Sequence, residues 1–360
     1  MTLDEVLSRI PMWYAGKRSV LLRSPPGTGK STTLAAAAGL LSSVFNAAYG
    51  FVIVDATLLT PADAIGYLVP KHMPDGTTES VYTLPFYWRT AEGKLLSEYA
   101  GGIIVVEEID KADIDIKKIL GEACLSGRIG PHQLPKGWLV WMAGNRQQDR
   151  SGSTKELDHH INRRMEIPVD PHFGSFENYA NKVNAMPLTI SFAKKHQDLV
   201  FASEVPKVQG PWCTPRSLLG GVDTYIQSVM KYTKSKTLPD DSLLMEEVKG
   251  MIGSTAMDQY FIHAKLQYEV PGIEEITKDP AGARLPNDAA VQTLIAYNLS
   301  REVTPENAGA VITYVERMAK EFAVTFANAT MKRKPTLVLI PVFRKWIEGN
   351  SALIFLINSN

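Results

Sequence analysis

The sequence predicts an α/β protein, a parallel sheet with helices on both faces, followed by a region built from helices. Three observations carry this prediction. Short apolar, β-rich runs alternate with helical stretches through the first half. A Gly-rich loop joins the first such run to a helix, and after about Asp170 the strand signals fade. At 360 residues the chain exceeds one small domain and suits two or three.

Taken in order, Ser19–Arg23 is the first strand candidate, and Ser31 to about Phe45 is Ala/Leu-rich and helix-like. Phe51–Asp55 is the second strand. Gly102–Val106 is the third, continuously apolar as a strand covered on both faces should be. Trp138–Ala143 and Met165–Val169 are the fourth and fifth. Beyond them Ile190–Phe201, Pro215–Tyr232 and Asp241–Met251 read as helices. Thr304-Pro305-Glu306 has the form of a helix start, with Thr as cap, Pro at the first position and an acid in the first turn. Val311, Ile312, Val315, Met318 and Phe322 then keep a helical spacing suited to core packing. Pro/Gly-rich breaks at Pro168–Gly174, Val205–Pro211 and Asp279–Pro286 mark candidate joints, and no internal repeat or low-complexity tract is present.

Bulk composition narrows the class. The apolar fraction is 45% and the charged fraction 21%, ordinary for a soluble globular protein. Lys plus Arg and Asp plus Glu are 38 each, so the formal net charge is zero, with no global pull towards nucleic acid or an anionic membrane. The densest basic run, Lys332-Arg333-Lys334, reads as a solvated helix end. Two cysteines, Cys124 and Cys213, without a CxxC, argue against a disulfide framework or zinc site and fit a reducing cytoplasm. The N-terminus lacks a signal pattern. The longest apolar runs, such as Ala352–Ile357, fall far below the roughly 20 residues of a membrane span. A soluble, cytoplasmic protein is expected.

Ser24-Pro25-Pro26-Gly27-Thr28-Gly29-Lys30-Ser31 lies between a predicted strand and a predicted helix, the context a phosphate-binding P-loop requires. Glycines 27 and 29 let the backbone turn its N–H groups towards phosphate oxygens at a helix start, forming an anion site from Pro26 through Thr32. Lys30 reaches the β- and γ-phosphates of ATP in this reading, and the Ser31 hydroxyl ligates Mg²⁺. Ser24 stands where such loops usually begin with Gly; if that position needed φ > 0, serine would be strained there.

The run Ile103-Ile104-Val105-Val106-Glu107-Glu108-Ile109-Asp110 is an apolar strand ending in acids, a Walker B arrangement. Glu107 takes the place usually held by Asp, as a metal-side carboxylate, and Glu108 is placed to activate water as general base. The plain alternative is that Glu107, Glu108 and Asp110 solvate a strand end.

With these motifs, and a later strand ending in Ala143-Gly144-Asn145, the chain resembles the AAA+ superfamily over roughly residues 15–235. The resemblance implies that Asn145 is the sensor 1 residue orienting water against the γ-phosphate. Leu157–Met165 resembles the segment before the last core strand in AAA+ proteins of the MoxR group, which makes Arg163 the arginine finger acting on a neighbouring subunit, with Arg164 as competitor. Trp212–Leu218 resembles the sensor 2 signature, with Arg216 opening a lid helix that faces the nucleotide. Asp63–Gly66 with Tyr67–Leu84 resembles the MoxR insert in the second core helix, and 127–137 the hairpin before sensor 1. Tyr82, Phe86, Tyr87 and Trp88 are candidates either for client contact or for packing the base of the insert.

The resemblance implies a MoxR-type AAA+ ATPase: an α/β nucleotide domain at 1–170, a helical lid at 171–268 and a helical C-terminal extension at 269–360. It implies ATP and Mg²⁺ as cofactors and self-association in a ring, with a hexamer expected. A client protein, by analogy one with a von Willebrand factor A-type domain, would be the partner. Two rival readings stand beside it: a nucleotide-gated scaffold with little turnover, and a nucleic-acid motor, which the zero net charge disfavours.

Overall fold

The computed structural model describes residues 1–149 and 164–350. Its first helix, α1 (Leu3–Ala15), begins at a capping box. The Thr2 amide donates to Glu5 Oε2 at 2.8 Å and the Glu5 amide to Thr2 Oγ1 at 3.2 Å, so two amides that lack helical partners are satisfied reciprocally. From there the chain enters β1 (Val20–Arg23), and after the Gly-rich loop come α2 (Lys30–Ala35) and α3 (Ala37–Phe45), broken at Ala36 where one continuous helix is expected.

The remaining core strands are β2 (Tyr49–Asp55), β5 (Gly101–Glu107), β8 (Trp138–Gly144) and β9 (Met165–Pro168). They pair in the order β2-β5-β8-β1-β9, and every pairing is parallel. Side chains alternate between the two faces. Leu21, Ile104, Val106, Val140 and Met142 pack on one face against Ile116, Leu120 and Ala123 of α5 (Ile114–Ser126). Val20, Leu22, Ile103, Val105 and Trp141 pack on the other against Val6 and Ile10 of α1 and against Leu34 and Leu41. Covering both faces is what makes Ile103–Val106 an unbroken apolar run rather than an alternating one. This is the α/β architecture that the sequence predicts, a parallel sheet with helices on both sides and helices following it.

Between β2 and β5 a short helix α4 (Pro61–Ile65) leads into a two-stranded antiparallel ribbon, β3 (Leu68–His72) and β4 (Thr78–Tyr82). Both ribbon strands are exposed along nearly their whole length. A second, minimal hairpin pairs β6 (Arg128–Ile129) with β7 (His132–Gln133) just before β8. Met1–Pro171 with Ser203–Val205 forms one compact unit; His172–Ala202 with the chain from Pro206 onward forms the other.

The second unit has helices and no strand among its described residues. Its helices are α6 (Phe173–Lys182), α7 (Pro187–Lys195), α8 (Gln197–Val200), α9 (Thr224–Thr233), α10 (Ser242–Ile252), α11 (Ser254–Ala264), α12 (Ile273–Lys278), α13 (Ala289–Glu302), α14 (Ala308–Val315), α15 (Lys320–Arg333) and α16 (Pro341–Glu348). Helix α13 serves two clusters at once: Leu294 and Tyr297 face one, Val291, Ile295 and Leu299 the other.

Two local expectations are corrected here. The helix expected from Pro305 begins at Ala308: Thr304 and Asn307 cap each other, the Thr304 amide donating to Asn307 Oδ1 at 2.7 Å and the Asn307 amide to Thr304 Oγ1 at 3.4 Å, and residues 305–307 between them form a turn. Its apolar run also crosses a break, since α14 stops at Val315 and Phe322 belongs to α15. The basic run is not a solvated helix end either. Arg333 donates to Asn181 Oδ1, Asn184 Oδ1 and Ala185 O at 2.7–2.8 Å, and Lys334 Nζ donates to Val303 O at 2.7 Å. Burial lowers the Arg333 guanidinium to about 10. In α7, Ser191 donates to Leu188 O at 3.0 Å, so the 2.8 Å contact of its Oγ with His263 is donated by imidazole Nε2. His263 Nδ1 is then a buried lone pair without a hydrogen-bond partner among the described residues.

Candidate nucleotide-binding site

Parallel pairing brings the ends of three strands to one edge of the sheet. Arg23 lies opposite Gly144, and Val106 opposite Met142. The residues that follow β1, β5 and β8 therefore emerge together, and they are Ser24, Glu108 and Asn145. Ligands of open parallel sheets bind at this carboxyl edge.

The loop after β1 turns through two left-handed positions, Gly27 (φ 77°) and Gly29 (φ 107°), where a side chain would be strained. Gly29 caps α2, whose first residue is Lys30. Ser24 has no positive φ, so this position does not demand glycine. Its side chain is fully buried and takes part in the site.

Lys30 is the centre of the arrangement. The residue is 8% exposed, and its ammonium group donates to Ser24 Oγ at 2.8 Å, to Ser24 O and Asn145 Oδ1 at 3.2 Å each, and to Pro25 O at 3.3 Å. A buried cation needs such partners to offset its lost hydration. The Ser24 hydroxyl commits its own proton to Pro25 O at 2.9 Å, which leaves its lone pairs for the ammonium. Thr28 Oγ1 also donates to Pro25 O, at 2.8 Å, and closes the loop on itself.

Asn145 is held on three sides. Its side-chain oxygen meets Lys30, its backbone N–H donates to Asp110 Oδ1 at 3.0 Å, and its carbonyl accepts from Arg23 Nη1 at 2.8 Å. Arg23 in turn pairs with Glu166 of β9 at 3.5 Å. Asp110 is 1% exposed, so it does not solvate the strand end; its carbonyl accepts from Lys117 Nζ at 2.8 Å. The motifs alone do not mark Arg23 and Asp110 as residues that hold Asn145, although Arg23 precedes one motif and Asp110 ends the other.

Glu107 closes β5 opposite Asp55 of β2. Glu108 follows in a left-handed conformation, φ 53°, unusual for a residue with a Cβ. Its carboxylate is ion-paired with Lys111, three residues on. Ser31 and Thr32 sit in the first turn of α2. No group of three or more His, Cys, Asp or Glu that could hold a metal occurs among the described residues. The donors at hand are hydroxyl and carboxylate oxygens, which suit Mg²⁺ bound by one or two protein groups together with substrate phosphates.

The structure thus joins Ser24, Lys30 and Asn145 by direct contact and sets Glu107 and Glu108 on the same edge of the sheet. It is the strand–loop–helix arrangement of a P-loop fold. Arg163 lies outside the described residues, while Arg164 donates to Met142 Sδ of β8 at 3.5 Å. Arg216 is exposed at the start of a helical segment in the second unit. That segment opens on a reciprocal cap: the Thr214 amide donates to Ser217 Oγ at 2.9 Å and the Ser217 amide to Thr214 Oγ1 at 3.0 Å, with Pro215 between. Of the insert aromatics, Tyr87 and Trp88 are buried, while Tyr82 and Phe86 are exposed. No helix among the described residues is long and apolar enough to cross a membrane.

No protein-family model matches the sequence, and comparison with curated proteins returns no match. Among solved structures the chain is similar to the Thermotoga maritima RuvB Holliday junction branch migration motor, at 12% identity and a TM-score of 0.39, over 96% of this chain and 86% of that one. A point mutant of RuvB aligns at 13% identity and the same TM-score, over 81% and 84%. A Cytophaga hutchinsonii protein whose ATPase role is itself inferred aligns at 12% and 0.34, over 69% and 81%.

Proposed function

We propose that this chain is an ATPase of the AAA+ kind, belonging to the MoxR group and working in a ring, with a hexamer expected. The observation that carries the reading is the buried Lys30 ammonium, which links the Gly-rich loop to Asn145 at the end of β8, beside Glu107 and Glu108. A buried ammonium held by loop oxygens at the carboxyl edge of a parallel sheet stands where a triphosphate needs positive charge.

In this reading the loop from Pro26 to Thr32 holds the phosphates of ATP, with Lys30 on the β- and γ-groups. Ser31 and Glu107 would hold Mg²⁺, which when bound neutralises charge on the phosphates. Glu108 takes a proton from the attacking water as the bond from the γ-phosphorus to the β–γ bridging oxygen breaks, and Asn145 orients that water. Arg163 of an adjacent copy and Arg216 of the same chain supply positive charge to the transferring group. Residues 171–268 act as the lid and 269–360 as a helical extension. Turnover would change lid and subunit angles and so remodel a client protein, by analogy one with a von Willebrand factor A-type domain, in the cytoplasm.

One observation favours a second reading, a nucleotide-gated scaffold with little turnover. The Glu108 carboxylate is engaged by Lys111 and its backbone is strained, so the base is not poised for water. Steady-state hydrolysis by the wild type, lost in Glu108→Gln with ATP binding retained, establishes the ATPase reading. Tight binding with no turnover in either protein establishes the scaffold.

A further inference from the structure

We propose that Asp110 is a positioning residue for hydrolysis: acting across Gly144, it fixes the backbone of Asn145 and thereby the place of the Asn145 amide against Lys30. The proposal rests on the ATPase reading and adds to it a residue with no direct role at the phosphates.

Asn145 follows the last residue of β8, where the strand's regular pairing ends. A side chain at such a point swings with its backbone. Here both backbone polar groups of Asn145 are tied down, the N–H by the Asp110 carboxylate and the carbonyl by Arg23. All three residues are buried, so neither hydrogen bond has water as a ready substitute. The charged acceptor and charged donor also make these bonds stronger than neutral ones.

Gly144 shows how closely the cradle fits. Its φ is not positive, so the backbone alone would accept any residue. Space does not: a Cβ there would lie 2.7 Å from Asp110 Oδ1 and 3.2 Å from Arg23 Nη1. Both holding groups close over the glycine, so any side chain there makes the carboxylate shift. A methyl at residue 144 would displace the carboxylate without removing any polar group, and so perturbs the same relationship by a different route.

The test compares kcat and the dissociation constant for ATP across wild type, Asp110→Ala, Asp110→Asn, Gly144→Ala and Asn145→Ala, each at matched folded fraction. In Asp110→Ala and Gly144→Ala, kcat falls by about 10²-fold, the scale of a misplaced catalytic group, while ATP affinity stays within about threefold. Asp110→Asn, which keeps an oxygen to accept from the Asn145 amide, recovers most of the rate. Adding Asp110→Ala to Asn145→Ala costs nothing further, since Asp110 acts only through Asn145. If the two losses multiply instead, or if Asp110→Ala keeps wild-type kcat, the positioning role is wrong while the ATPase reading stands. Should Asp110→Ala not fold, Gly144→Ala and its combination with Asn145→Ala decide by the same criterion. A wild type without turnover removes the ATPase reading itself, and this role with it.

Discussion

The Ser24 hydroxyl accepts a 2.8 Å hydrogen bond from the Lys30 ammonium group, deep in the loop that begins with that serine. A glycine would supply only the neighbouring carbonyl. Ser24→Ala should therefore lower the stability of the nucleotide-free protein by about 1.5 kcal/mol, the scale of a hydrogen bond to a charged group. A bound phosphate would take over the lost contact, so ATP should raise the melting temperature of the variant more than that of the wild type. An equal or smaller rise would show that the hydroxyl is not standing where a phosphate oxygen goes.

Lys30→Ala should abolish ATP binding, because the loop amides alone do not balance the charge of a triphosphate. Glu108→Gln should bind ATP as the wild type does and turn it over about 10²–10⁴-fold more slowly, the usual contribution of a general base. Equilibrium binding of a fluorescent ATP analogue, with phosphate release measured in parallel, separates the two effects.

Arg163→Ala should assemble normally and hydrolyse poorly, by about 10³-fold or more if the guanidinium serves as an arginine finger. Mixing Arg163→Ala with Glu108→Gln subunits should restore part of the activity, since some mixed interfaces contain one intact site. Absence of any recovery would count against action in trans and bring Arg164 or Arg216 forward.

Acid should weaken the second unit. Burial lowers His263 to about 3, with Lys195 and His196 adding to the effect, because a proton on Nδ1 would sit without a partner. In the unfolded chain the same imidazole titrates near its ordinary value of about 6.5. Between those values the unfolded state binds more protons, so stability falls as pH drops from about 6.5 towards 3, by up to about 1.4 kcal/mol per pH unit. Urea denaturation at pH 7 and pH 5 should show this loss, and His263→Phe, which cannot be protonated, should flatten it.

Much of the site can be read from sequence because its motifs are contiguous. Ser24–Ser31 and Ile103–Asp110 each carry their own local geometry, and apolar continuity places their strands in the sheet interior. Arg23 and Asp110 are different. Arg23 lies just before one motif and Asp110 is the last residue of the other, and only the parallel register that sets Arg23 against Gly144 shows that both hold Asn145. The start of α14 is hard to read from sequence for a similar reason. Thr304 does act as a cap, its hydroxyl accepting from the Asn307 amide while the Asn307 side chain accepts from the Thr304 amide, but residue types alone do not show that 305–307 form a turn before the helix starts. Arg333 could not be told from a solvated cation either, because its partners Asn181, Asn184 and Ala185 lie about 150 positions away.

The β3–β4 ribbon has consequences for how copies of this chain tolerate crowding. Two exposed strands with open edges are a template on which further strands could grow into aggregates. Its outer surface also carries Tyr67, Leu68 and Tyr82, which would make such growth stickier. The ribbon defends itself in its own sequence. Pro70 deletes an amide donor within β3, and the Lys71–Glu79 cross-strand pair puts charge on the neighbouring rung. Replacing Pro70 and Lys71 with valine should make the protein clump more readily, seen as greater light scattering than wild type at equal concentration.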